Sequence, residues 1–397
     1  MILAGDYIPK QKAVHLDLPP GTILANLEGP VLGDRVLTPS PKSGPSLYSR
    51  AFEPDGRSFI FMLANNHLMD YGEAGLEATK SVLAKAGVPF CGAGANLEEA
   101  RLPLVVTESG KKIGIISCCE RQFGCAEIAQ PGVAEKGHWL VSAVKRLKQS
   151  VDFVIVSCHA AFEHSPFPSP RLREFYHLLI HAGADVIHGH HSHVPQGWET
   201  YRDGLILYGL GNFAVDPDSW GKGNYLWSII VHLDFSSNKI GWSLSFADIR
   251  VSEKGGICVG LVEGDARERH DRYCQLCNMA FDSDAMNSAL WQEICVLLFD
   301  RYYGVPLHSP GYKSTCPLTT RNRLRYLFDG CVSLLAGVSG RKLRSKKELQ
   351  RGLTMLNFFQ CESHCSVMET ALGVLSGTVL DQRTKLTYDI VKELIFS

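Results

Sequence analysis

Eight residues carry donor types that hold divalent cations: Asp6, Glu28, Asn66, His67, His159, Glu163, His191 and His193. Carboxylate, amide and imidazole groups together suit Mn²⁺, Fe or Zn²⁺. Two such ions about 3.5–4 Å apart can activate a water and neutralise a phosphoryl oxygen, so the chemistry open to this set is hydrolytic. Taken singly, several of the eight also fit plainer roles. Gly5-Asp6 reads equally as a turn or cap, Asn65-Asn66-His67 as a strand-ending turn, and His159 with Glu163 as a helix-spaced surface pair. The most specific string is His188-Gly189-His190-His191-Ser192-His193. Alternate residues of an extended chain point to one side, so two imidazoles there can meet one cation.

Elements that would position these residues are visible around them. Strand-like runs at 23–25, 59–64, 153–156 and 185–187 end on Asn26-Leu27-Glu28, Asn65-Asn66-His67, His159 and the histidine string, while Ile2-Leu3-Ala4 leads into Gly5-Asp6. Ligands gather at the carboxyl ends of strands in α/β sheets, so five such exits imply one shared site. Between them, 72–86 reads as a helix stopped by Gly87, and 170–182 as a helix capped by Ser169, opened by Pro170 and stopped by Gly183. The runs 226–231 and 240–246 form an expected antiparallel hairpin joined at Ser236-Ser237-Asn238. Beyond residue 262 helical periods dominate, over 285–299, 321–335 and 346–359. The expected division is therefore an α/β domain over 1–262 and a helical region over 263–397.

Composition narrows the class. With 397 residues, 40 Lys+Arg against 41 Asp+Glu and 45% hydrophobic residues, the chain is neither disordered nor a wholly basic nucleic-acid binder. No apolar run approaches the roughly 18 residues needed to cross a bilayer. The strand-like start leaves no room for a cleavable leader, so the expectation is a cytoplasmic protein unless an upstream leader is missing. Thirteen cysteines, an odd number spread over a long chain, read as reduced thiols. Cys274, Cys277, Cys361 and Cys365 are expected as buried thiols in preference to a zinc site of unusual spacing. The basic positions Arg321, Arg323, Arg325, Arg341, Lys342, Arg344, Lys346 and Lys347 are expected on solvated helix faces, with an anionic polymer or membrane surface as the alternative.

The strings taken in order resemble the CapA family of poly-γ-glutamate capsule biosynthesis proteins, whose fold is similar to calcineurin-like metallophosphoesterases. They are GD at 5–6, NLEGP at 26–30, LANNHLMDYG at 63–72, GAGANLEEA at 92–100, HAAFE at 159–163, GADVIHGHHSHVPQG at 183–197 and LYGLGNF at 207–213. The resemblance covers roughly residues 1–250 and implies a four-layer β-sandwich flanked by helices, followed here by a helical C-terminal region. It implies two divalent ions held by Asp6, Glu28, Asn66, His159, His191 and His193, with Glu28 as a bridge. His67 would protonate a leaving oxygen, Glu163 and Asp70 would assist it or orient substrate, and Asn65 and Asn212 would face the substrate. His188 and His190 fall outside that implied ligand set. Two motifs depart from the family pattern: Asp6 is followed by Tyr7-Ile8 instead of x-His, and the usual His-Trp-Gly-x-Glu reads His159-Ala160-Ala161-Phe162-Glu163.

The function so implied is a metal-dependent hydrolase of phosphoesterase type in capsule or poly-γ-glutamate metabolism. Its expected partners are an anionic polymer or phosphoester substrate, together with polymer-synthesis proteins, and no long nucleic acid. The alternative is an assembly protein that uses the same cleft to hold a polymer or its synthase.

Overall fold

Alternation of side chains along the apolar runs decides the layers. A computed structural model describes residues 1–10, 12–52, 55–220, 223–299, 303 and 346–396. The larger sheet holds β1 (Ile2–Ile8), β2 (Val14–Asp17), β3 (Ile23–Leu27), β4 (Phe59–Met62) and β5 (Phe90–Cys91). It is completed by β14 (Asn212–Val215), β15 (Trp227–Asp234), β16 (Gly241–Val251) and β17 (Ile257–Leu261). The smaller sheet holds β7 (Leu104–Glu108), β8 (Lys111–Cys119), β10 (Phe153–His159), β11 (Val186–His190), β12 (Trp198–Tyr201) and β13 (Gly204–Leu207). Two short strands, β6 (Ala93–Gly94) and β9 (Gly132–Val133), pair separately.

Leu3, Leu24 and Ile60 from the first sheet share one buried cluster with Ile113, Ile115, Ile155 and Val186 from the second. Their neighbours in sequence, Ile2, Ile23, Phe59 and Phe61, face the other way and pack with Leu76 and Leu83 of helix α1 (Gly72–Lys85). Ile116, Val154 and Val156 likewise turn outward onto α3 (Trp139–Lys148) and α4 (Pro170–Ala182). The result is the four-layer α/β sandwich, with α2 (Leu97–Ala100) and α5 (Pro217–Trp220) as single turns at its margins. Helix α4 begins and ends as expected: Ser169 Oγ accepts from Leu172 N, and Gly183 takes φ +111. The expected hairpin is β15 and β16, in register from Trp227↔Asp248 to Asp234↔Gly241.

The C-terminal region is helical where it is described: α6 (Gly264–Asn278), α7 (Asp284–Leu298), α8 (Lys346–Gln360), α9 (Glu362–Ser376) and α10 (Lys385–Phe396). Its apolar side chains, Tyr273, Leu290, Ile294, Val367 and Ile390 among them, join the cluster between the sheets instead of closing a separate core. The expected helix at 321–335 and the basic positions Arg321 to Arg344 lie outside the described residues. The described cysteines are free thiols, Cys274, Cys277 and Cys361 being buried. No helix among the described residues is long and apolar enough to cross a membrane.

A polar link fastens α4 to this region. Arg173 donates to Glu199 at 3.2 and 3.1 Å and to Asp284 Oδ1 at 2.8 Å, and Tyr208 Oη donates to Glu199 at 2.6 Å. Burial works against ionisation of Glu199, but Arg173, Tyr208 and His177 hold its carboxyl below the ordinary 4.5. A depressed carboxyl stabilises the fold above its unfolded value, and that contribution is lost as pH falls through the folded value. Glu199→Gln is therefore expected to lower the urea midpoint at pH 7, and its gap from the parent should close below about pH 4.5. Urea titrations of both proteins between pH 7 and 3.5 measure this; a gap that stays constant would refute it.

Candidate metal centre

The parallel strands β1, β3 and β4 of one sheet and β8, β10 and β11 of the other end at the same edge of the sandwich, and their polar residues converge there. Asp6 is placed by a break in pairing. β1 pairs with β15 at Ile2 and Leu3, then with β14 from Asp6 onward, with a register shift beside Asp6. A Cβ on Gly5 would lie 1.8 Å from the Gly211 carbonyl oxygen, so glycine is required at this crossover. Gly5-Asp6 is thus an irregular point inside a strand, neither a turn nor a cap.

Asp6 is fully enclosed. Its Oδ1 lies 3.3 Å from His190 Nδ1 and accepts from Asn26 Nδ2 at 2.8 Å, and its Oδ2 lies 3.2 Å from His193 Nδ1. Burial raises the Asp6 carboxyl, but His190 and His193 outweigh it and hold the group well below the usual carboxylate range. Glu28 goes the opposite way: burial and then the charge of Asp6 push it well above that range. Asn26 Nδ2 contacts both carboxyls, and Glu28 Oε2 lies 3.6 Å from His159 Nδ1. His159 Nε2 faces Asn66 Oδ1 at 3.1 Å.

One donor atom each from Asp6, Glu28 and His159 lie within 4.8 Å of one another, and the same holds for Glu163, His191 and His193. Two adjoining three-residue sets could therefore each hold a cation. The first set is buried; in the second, the two histidines are buried and Glu163 is partly exposed. Partial enclosure disfavours charge on Glu163, yet His191, His193 and His164 bring its carboxyl down to about 2. Glu28 Oε1, His190 Nε2 and His191 Nδ1 are buried with no hydrogen-bond partner among the described residues. Buried acceptors of that kind are costly unless something electropositive joins them, so the donor set fits divalent cations.

His67 stands beside the first set, with Nε2 3.9 Å from Glu28 Oε1. Its Nδ1 is held by Asp70 Oδ2 at 2.7 Å and Lys42 Nζ at 3.0 Å. Lys42 also pairs with Asp70 Oδ1, and Leu47 N donates to Asp70 Oδ2 at 2.7 Å. Burial and the Lys42 charge lower the His67 pKa, against the pull of Asp70.

Three expectations change. Asn65, expected at the substrate, spends its whole hydrogen-bonding capacity on the scaffold: Nδ2 donates to Asn26 Oδ1 and Leu27 O, and Oδ1 accepts from the amides of His67 and Leu68. It is a positioning residue for Asn66 and His67. His159 and Glu163 are not on a helix, since His159 ends β10 and the chain then turns. The string 188–193 is not extended throughout: β11 stops at His190, and His191 and His193 take φ +88 and +57. That turn lets His190, left out of the expected set, reach Asp6 together with His193. His188 donates from Nε2 to Ala4 O at 3.0 Å and ties the sheets together. Asn212 Oδ1 faces His193 Nδ1 at 3.1 Å, while its Nδ2 donates to Tyr225 O.

Sequence reasoning passed over Asn26, Lys42, His190 and Glu120. Asn26 had a signal, because it and Glu28 alternate on one strand and must face alike. Lys42 and Glu120 had none, being brought in by loop geometry.

Residues 22–217 match the family model described as bacterial capsule synthesis protein PGA_cap. This is the family that the motifs of the chain resemble, and the match takes in just under half of the chain. It is 32% identical over 165 residues to the capsule biosynthesis protein CapA of Bacillus anthracis, covering 40% of each chain. It is 35% identical over 179 residues to a probable polyglutamine synthesis accessory protein of Mycobacterium tuberculosis, covering 42% of this chain and 47% of that one. The PGA biosynthesis protein CapA of Bacillus subtilis is 31% identical over 163 residues, covering 38% and 41%. The chain spans less than half the length of each of these relatives. Among solved structures, a novel phosphatase of Mycoplasma pneumoniae aligns with TM-score 0.38 and 13% identity over 62% of this chain and 92% of that one. The PGA_cap match takes in Glu28, His67, His159 and His193, begins after Asp6, and ends before the C-terminal helices.

Proposed function

We propose that the chain is a metal-dependent hydrolase of the phosphoesterase type, working in the synthesis of a capsule or poly-γ-glutamate-like polymer. The observation that carries this is the adjacency of two three-residue donor sets, each within 4.8 Å, to a histidine fixed from behind by a carboxyl and an ammonium group. Asp6, Glu28 and His159 would hold one cation and Glu163, His191 and His193 a second, with Asn66 beside the first. When bound, such ions supply Lewis-acid stabilisation of charge on a phosphoryl oxygen.

The chain's own part is proton handling and orientation. Asp70 Oδ2 accepts the Nδ1 proton of His67 at 2.7 Å, which leaves Nε2 as the atom that faces the centre. As an imidazolium, His67 delivers its Nε2 proton to the departing oxygen and returns to the neutral ring, while Asp70, itself paired with Lys42, keeps that ring in place. The names of the relatives support a polymer-related role, with an anionic polymer or a phosphoester as substrate and polymer-synthesis proteins as partners.

Metal analysis of the purified protein, then assay on a generic phosphodiester with and without Mn²⁺, tests this. Bound metal with Mn²⁺-dependent turnover is the expected result. Bound metal without turnover would favour an assembly role, and absence of both would reject the centre itself.

A further inference from the structure

Helix α9 lies outside the region matched by the family, yet its first turn reaches the candidate centre. Ser363 Oγ donates to Glu120 Oε1 at 2.7 Å, and Cys361 Sγ donates to the same oxygen at 3.2 Å. That oxygen lies 3.6 Å from His191 Nε2, whose ring is 4.4 Å from that of His159. The three residues of this link are buried: Glu120 at 3%, Cys361 at 2% and Ser363 at 9% exposure. The other ring nitrogen of His191, Nδ1, is buried with no hydrogen-bond partner among the described residues. One face of the imidazole is thus occupied by a carboxyl, and the other is left for a cation.

The helix is firmly seated. Lys136 pairs with Glu362 at 2.7 Å, Arg171 with Glu369 at 2.8 and 3.1 Å, and Trp291 Nε1 donates to Thr370 Oγ1 at 3.2 Å. Val367 and Met368 sit in the cluster between the sheets. A carboxyl also gains from lying at the first turn of a 15-residue helix.

We propose that the C-terminal helical region is a working part of the centre: through Ser363 and Cys361 it fixes Glu120 against His191 Nε2, so that His191 Nδ1 is presented to the metal. This rests on the metal-centre reading above, and it makes Glu120 and Ser363 positioning residues. Partners of this kind behind a ligating histidine typically contribute about 10–100-fold in metal affinity.

The test is calorimetric titration of the full chain with Mn²⁺, for the parent, Glu120→Gln, Ser363→Ala and Ser363→Thr, with thermal melts of the metal-free proteins alongside. Glu120→Gln is expected to weaken Mn²⁺ binding by about 10–100-fold. Ser363→Ala should weaken it by a smaller factor, and Ser363→Thr, which keeps the hydroxyl, should restore it. If Ser363→Ala melts early, the comparison of Ser363→Thr with Glu120→Gln still decides. Equal Mn²⁺ affinity in Glu120→Gln and the parent would overturn the proposal and leave the hydrolase reading untouched. A parent that takes up no Mn²⁺ overturns both. A parent that binds Mn²⁺ without hydrolysing a phosphodiester, with affinity lost in the variants, supports the proposal and removes only the hydrolase reading.

Discussion

Replacing His67 with alanine is expected to lower kcat on a phosphodiester by about 10²–10⁴-fold, the usual contribution of a positioned proton donor. Bound Mn²⁺ should be unchanged, because His67 belongs to neither donor set and its Nδ1 is taken by Asp70 and Lys42. Steady-state kinetics with metal analysis on the same preparations measure both quantities. KM should move little if the ring acts only as the leaving oxygen departs. Loss of metal together with rate would place His67 in the ligand shell instead. Unchanged rate would remove it from catalysis, and unchanged polymer production in a producing strain would favour the assembly role.

Asp6→Asn should have the second large effect, on metal-linked stability. A ligand bound only by the folded chain stabilises it by about 2.7 kcal/mol when present at about 100 times its Kd. The parent should therefore melt at a clearly higher temperature in Mn²⁺ than in chelator, and the variant should show little of that rise. Asp6 is the hub of the first set, in contact with His190, His193 and Asn26, and an amide in its place removes the charge while keeping the shape. Thermal melts of both proteins in Mn²⁺ and in chelator measure it. An undiminished rise in Asp6→Asn would show that Asp6 is not a ligand.

Much of this was legible before any coordinates. Helix α4 could be read to its ends because Ser169, Pro170 and Gly183 act locally, and the β15–β16 hairpin because its turn is local too. The strands could be read because β-branched runs ended on polar residues. The turn after His190 was not legible, since histidines with positive φ are forced by packing around 188–193 and break the period of two on which the reading depended. Lys42 and Glu120 were invisible for another reason: each reaches its partner across a loop or a helix distant in sequence. The packing of the C-terminal helices into the inter-sheet cluster was equally hidden, because periodicity says which face is apolar and not what it meets.

The change of partner along β1 has a consequence for how the molecule comes into being. Asp6 is made near the start of synthesis, but the strand that holds it from one side, β14, begins at Asn212. His188 and Ala4 close a loop of similar span between the two sheets. Contacts so far apart in sequence form slowly, after much of the chain has collapsed. A chain halted before residue 207 would contain every residue of the two donor sets and yet lack the clamp that aims Asp6 at the others. Metal capture is then expected to be a late event in the life of the nascent protein, and partial chains should be poor scavengers of the ion.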